Sequence, residues 1–351
     1  MINSLQSLRF VFAIMILHHH YYGELHIMQT GLFPVAFFFI LSGFLMSMGY
    51  SKKVLSDSFV YRKFIYKRIV KLFPLNAICV LLPLAWPTLL DIVHKEWHPL
   101  YYIYTIPDIL MIQSWIPIEE VYFSGNAPAW FLSDILFCYM VFPLVVKLLN
   151  KRIWQNILLL FIIAYFVVVS ILPNHLIHSL VYVNPIFRLL DFVLGIELFI
   201  VLRRCSPTSA DIEKQNTAFW ADTSFEFVAL LSLIISFYVY PFIPINYGYV
   251  SLFWVPSILI VIVFASSEGG AISKCLSCPF LVYLGSLSFP FYMFHCIVLN
   301  WYRIIELHYH FLSNNHLLGF FICAIITLIF ALCYNKYLEP IIINKLRVIY
   351  E

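Results

Sequence analysis

The sequence predicts an all-α, polytopic membrane protein, and three observations carry the prediction. Of its 351 residues, 62% are apolar and 11% charged, against about 25% charged in soluble domains. Ten apolar runs approach the roughly 20 residues that a spanning helix needs, at approximately 5–22, 30–50, 69–90, 127–148, 153–172, 185–203, 224–241, 248–266, 280–300 and 316–337. Lys and Arg fall almost wholly on alternate connections between these runs, the asymmetry that marks cytoplasmic segments. This composition excludes a globular enzyme hung on an anchor. Residues 1–351 read as one transmembrane domain without a soluble domain, and the longest polar insert, 205–223, reads as a cytoplasmic loop. The net charge of +3 says little by itself; no nucleic-acid partner is expected, and the partner that the composition does imply is the lipid bilayer.

The first run, LQSLRFVFAIMILHHHYY, lacks the basic start and small-residue cleavage site of a signal peptide, so it is expected to be retained. With both termini cytoplasmic, the outer connections hold only Lys95 and Arg303, while Lys67, Arg68 and Lys71 stand at the inner mouth of the third run. Arg9 then lies low on the first span and His20 near its outer end. The eleven-residue spacing puts both on one helix face, about 16 Å apart. A charge inside a span costs roughly 2.5–3.5 kcal/mol on insertion scales, so Arg9 either snorkels to inner headgroups or meets an anion inside the protein. An interfacial polar cap accounts for His18 and His19. A neutral His20 can take a proton from a hydroxyl, which is general-base work. Consecutive helical residues diverge by about 100°, so the three histidines do not share one ion, and no metal is expected.

The second run contains Ser42-Gly43, which marks a close backbone approach or a local break. In the third, Arg68 and Lys71 are three residues apart and share a helix face. Such a pair at a membrane mouth either serves topology or holds phosphates. The fourth run opens outside and places Trp130, Ser133 and Asp134 in its outer half. The sixth does the same for Arg188 and Asp191, which either neutralise one another or serve the site. Glu197 has no evident partner. The ninth run lifts His295 to the same depth, seven residues after Ser288 and on its face, where a lone histidine is either a hydrogen-bonded core residue or part of the site. The eight cysteines are scattered; the lone pair Cys275/Cys278 has no second pair to complete a zinc site.

Several of these stretches resemble the integral membrane acyltransferase-3 family. SLRFVFAIMILHHH resembles its opening arginine–histidine signature, and GLFPVAFFFILSGFL its second motif. KRIVKLFPL is similar to its R-x-x-R segment before proline; FRLLDFVLG and LGSLSFPFYMFHC are similar to two later patterns. The resemblance covers essentially the whole chain in order. It implies transfer of an acyl group, most often acetyl from acetyl-CoA, to hydroxyls of cell-surface or lipid-linked glycans, in a multi-pass protein of the bacterial plasma membrane. It assigns Arg9 and His20 as essential and Arg68 and Lys71, with Lys67 beside them, to the donor. Asp191 or Asp134 is expected to orient the imidazole, and Trp130, Ser133, Arg188 and His295 to place the acceptor. Three positions depart from the family pattern: Lys71 replaces an arginine, Pro34 a glycine, and Ile135 stands where the family carries a glutamate, with Asp134 one residue away. The rival class is a transporter of glycan precursors or small anions, since buried Arg and His also suit transport.

Overall fold

The computed structural model describes residues 2–23, 30–56, 58–94, 99–205, 219–266, 269–308 and 315–348. Among them every regular element is helical. Backbone polar groups in hydrocarbon must pair within their own segment, and helices do this without an edge. The main helices are α1 (Asn3–Tyr22), α2 (Leu32–Val54), α3 (Tyr61–His94), α4 (Pro99–Ile109), α5 (Trp130–Leu149), α6 (Arg152–Ile171), α7 (Pro185–Cys205), α8 (Phe219–Val239), α9 (Trp254–Ser266), α10 (Pro279–Ser286), α11 (Ser288–His308), α12 (His316–Cys333) and α13 (Glu339–Val348).

Each of the ten expected runs lies on a helix, with three differences. Among the described residues, five helical stretches are long and apolar enough to cross a membrane, or six if α10 and α11 count as one span bent by 60°. The bend falls where Pro290 lacks the N–H that would continue the helix onto Ser286. The run 248–266 is helical in earnest only over α9, 13 residues long. Of the loop 205–223, Cys205 still belongs to α7 and Phe219–Thr223 already belong to α8; its middle lies outside the described residues. α1, α3 and α7 are not among the membrane-crossing stretches: α1 carries Arg9 with Gln6 and three histidines, α3 opens on the Arg62–Lys71 cluster, and α7 holds Arg188, Asp191 and Glu197.

Burial sorts the helices into a centre and a periphery. In α2 the apolar window is 72% buried, whereas in α6 it is 17% and in α8 22%, so α2 is core and the other two face outward. α2 and α7 cross with backbones in contact. A Cβ on Gly43 would lie 2.0 Å from the Phe192 carbonyl oxygen, and one on Gly195 1.9 Å from that of Ile40. The Ser42-Gly43 signal therefore marks a close approach within a continuous helix. On α1, Phe12 meets Phe33 and Phe37 of α2 edge-on, with ring centroids 4.9 and 4.6 Å apart.

A cap built from α4 and residues 110–129 closes the end of the bundle that holds His20. Its centre is Asp108, fully buried. The Asp108 carboxylate accepts from Gln113 Nε2 (2.9 Å) and the Asn126 backbone N–H (3.0 Å), while its carbonyl accepts from Asn76 Nδ2 of α3 (2.8 Å). Gly125 turns the chain at φ +58°, and a Cβ there would meet Asp108 Oδ2 at 2.7 Å. Asn126 Nδ2 donates to the Met293 carbonyl (3.0 Å), and the Tyr292 hydroxyl donates to the Pro128 carbonyl (2.8 Å). The cap is thereby fastened to α11 one turn before His295.

Candidate active site

A cavity of about 280 Å³ runs into the bundle among α1, α2, α3, α5 and α11. Arg9, Arg68 and Lys71 line it, with Ser42, Tyr50, Tyr139, Ser288 and Tyr292. Three cations assigned to the donor thus converge, although α1 and α3 are far apart in sequence. The exposed Lys67 is not among the lining residues. Arg68 is held by aromatic faces, its guanidinium carbon 4.9 Å from the Tyr50 ring centroid, 5.3 Å from Phe64 and 5.5 Å from Tyr139. Its Nε is buried without a hydrogen-bond partner. Arg9 makes one side-chain bond, donating from Nη1 to Gln6 Oε1 at 3.2 Å.

Two helical stripes lead from this cavity toward the cap. On α1 the stripe runs from Arg9 to His20, and on α11 from Ser288 through Tyr292 to His295. The stripes meet at their far ends, where the His20 and His295 rings have centroids 5.1 Å apart. The His295 Nδ1 donates to the Tyr292 carbonyl, which leaves Nε2 directed at the site. Arg303 Nη2 donates to the His20 carbonyl at 2.8 Å, satisfying one of the carbonyls left open at the end of α1. The three consecutive histidines do diverge. His18 Nδ1 is 3.3 Å from Thr30 Oγ1, His19 packs against Gly31, and His20 faces α11.

The carboxylates are placed differently from the expectation that Asp134 or Asp191 orients His20. Asp191 is engaged by Arg188 in a fully buried ion pair (2.8 Å) and by Trp254 Nε1 (2.5 Å). Asp134 accepts from Ser114 Oγ of the cap at 2.5 Å. The ring against His20 is instead that of His295, which the sequence had assigned to the acceptor. The helical repeat decides this: Ile135 lines the cavity, and Asp134, about 100° around α5, is turned away from it. The departure from the family pattern at Ile135 is therefore real in space. Arg188 also donates to the Tyr182 carbonyl (2.7 Å) and lies over the Tyr182 ring at 4.5 Å and that of Trp130 at 5.8 Å. Its Nη2, the Asp134 Oδ2 and the Ser133 hydroxyl are buried without partners. Glu197 has a partner after all, Gln155 Nε2 at 2.7 Å, whose Oε1 accepts from Arg204.

Sequence reasoning missed Tyr50, Tyr139 and Tyr292 in the cavity wall and took Ser42 only as part of a backbone signal. Tyr292 alone had a local signal, standing three residues before His295 on the same face. Cys296 was passed over as one apolar cysteine among several; its Sγ lies 3.3 Å from His295 Nε2.

An arginine-lined cavity joined by two stripes to paired imidazoles agrees with the comparisons to known proteins. The chain is 28% identical over 320 residues to Acyltransferase MdmB of Streptomyces mycarofaciens, which covers 83% of this chain and 76% of that one. No solved structure matches. The family described as acyltransferase domain (Acyl_transf_3) matches residues 2–336, nearly the whole chain, and this membrane protein belongs to that acyltransferase family.

Proposed function

We propose that the protein moves an acetyl group from acetyl-CoA to a hydroxyl of a cell-surface or lipid-linked glycan, within the bacterial plasma membrane. The observation that carries this reading is the alignment of the basic cavity with the His20–His295 pair. Arg68 and Lys71, on the basic end that the positive-inside rule assigns to the cytoplasm, are suited to the phosphates of the donor. Charge-assisted bonds to phosphate are about twice as strong as neutral ones. Arg9 lies deeper and steadies the donor where it passes into the bundle. The thioester then reaches the paired imidazoles. His20 removes the proton from the acceptor hydroxyl, the oxygen attacks the thioester carbonyl, and the carbon–sulfur bond breaks. The proton on His20 passes to the departing CoA thiolate. His295, buried and tied to the Tyr292 carbonyl, backs the His20 ring.

The test compares His20→Ala and Arg9→Ala with the unaltered protein for glycan O-acetylation at equal expression. General-base removal typically costs about 10²–10⁴-fold, so His20→Ala is expected to abolish detectable transfer. Normal acetylation by a well-expressed His20→Ala variant would overturn the assignment.

A further inference from the structure

His20, His295 and Cys296 form a cluster that acyl transfer does not use as a whole. Their ligand-capable atoms all lie within 4.8 Å of one another. We propose that this cluster is an inhibitory site for a thiophilic d¹⁰ cation, Zn²⁺ or Cu⁺, and that metal occupancy holds the transferase off. The inference rests on the reading of His20 as the base, because a coordinated imidazole nitrogen has no lone pair left to take a proton.

The geometry supports the site in three ways. First, with Zn–N near 2.0 Å and Zn–S near 2.3 Å, tetrahedral ligands stand about 3.3–3.6 Å apart. Cys296 Sγ and His295 Nε2 already stand at 3.3 Å, and the half-buried His20 offers its nitrogen within 4.8 Å of both. Secondly, metal-bound imidazoles commonly give their second nitrogen to a backbone carbonyl, which fixes the tautomer. The bond from His295 Nδ1 to the Tyr292 carbonyl is of that kind and leaves Nε2 as the ligand. Thirdly, one thiolate with two imidazoles favours Zn²⁺ or Cu⁺ over Mg²⁺ or Ca²⁺, which prefer oxygen. Three protein ligands leave a fourth position for water. Binding replaces the thiol proton of Cys296, which is released to solvent, so no redox step is involved. The expectation of no metal, drawn from His18, His19 and His20, concerned a different ligand set. Here His295 and Cys296 are also consecutive, on α11, but the His295 ring is turned back to the Tyr292 carbonyl, which brings its Nε2 to 3.3 Å from Cys296 Sγ, and His20 joins them from α1.

The experiment uses the full-length protein in detergent, in a Cys275→Ser/Cys278→Ser background so that the CxxC pair contributes nothing. Co²⁺ serves as the spectroscopic probe, and Zn²⁺ and Cu⁺ as separate arms of an inhibition assay. The expected result is a thiolate-to-cobalt charge-transfer band that Cys296→Ser removes. The same variant, whose uninhibited transfer persists, is expected to need at least about tenfold more Zn²⁺ or Cu⁺ for half-inhibition. Inhibition by only one of the two cations names that cation as the one the site takes. A band that survives Cys296→Ser, the lack of any band, or unchanged inhibition in the variant overturns the site. A protein that gives the Cys296-dependent band but transfers no acyl group upholds the site and overturns the transferase reading instead.

Discussion

Under the proposed mechanism Arg68 separates donor binding from chemistry, because it lies in the cavity wall among Tyr50, Phe64 and Tyr139 while the imidazole proposed as base is at the other end of the stripes. A hydrogen bond to a charged group contributes roughly 1.5–3 kcal/mol. Arg68→Ala is therefore expected to raise the KM for acetyl-CoA roughly 10- to 100-fold with kcat little changed, as steady-state kinetics on purified protein would read. Equal losses in kcat and kcat/KM would place Arg68 in the transition state instead. Arg68→Lys is not a neutral change, since an ammonium lacks the planar face that stacks against three rings.

The crossing of α2 and α7 fixes the cavity wall, for α2 supplies Ser42 and Tyr50 to it. Both helices bring a glycine to the crossing, and each Cβ would meet main-chain atoms that have nowhere to move. Overpacking typically costs about 1–3 kcal/mol. Gly195→Val is expected to lower the melting temperature in detergent and to depress acetylation with it. Gly49→Ala, on the same helix α2 but with nothing within 4 Å, is expected to be neutral or slightly stabilising, since alanine is the better helix former. Equal tolerance of both changes would show that the crossing is looser than described.

The whole bundle is closed at its histidine end by the cap, whose stability depends on pH through the buried Asp108 within it and the half-buried His178 packed against it, with opposite signs. Burial pushes Asp108 from its ordinary 3.8 up to about 7, against the opposing bond from the Asn126 backbone N–H. The folded state thus keeps a proton that the unfolded chain has lost. The contribution is fully present below about pH 3.8 and is lost as pH rises through about 7. His178, which meets the Tyr122 hydroxyl at 3.1 Å, is lowered by burial and by Arg188 from 6.5 to about 4. Its contribution is present above about pH 6.5 and lost as pH falls through about 4. The two slopes oppose one another between these limits. Melting followed against pH is expected to decline from about pH 4 to 7 in His178→Gln, and Asp108→Asn is expected to remove that decline. An unchanged slope on adding Asp108→Asn would remove Asp108 from the account.

How much of this was legible follows from the range of the forces involved. Helix periodicity and hydropathy act within a segment, so the all-helical membrane class, the Arg9–His20 face and the Ser288–His295 face could be read from residue spacing alone. The Arg68–Lys71 pair was readable for the same reason. Which faces meet depends on packing between segments distant in the chain. Only the tertiary structure put Arg9 beside Arg68 and Lys71, set His295 rather than a carboxylate against His20, and turned Asp134 toward Ser114 while Ile135 took the cavity wall. It also brought Cys296 to the histidines. A one-residue step is about 100° around a helix, and the neighbour that decides which direction is inward lies on another helix.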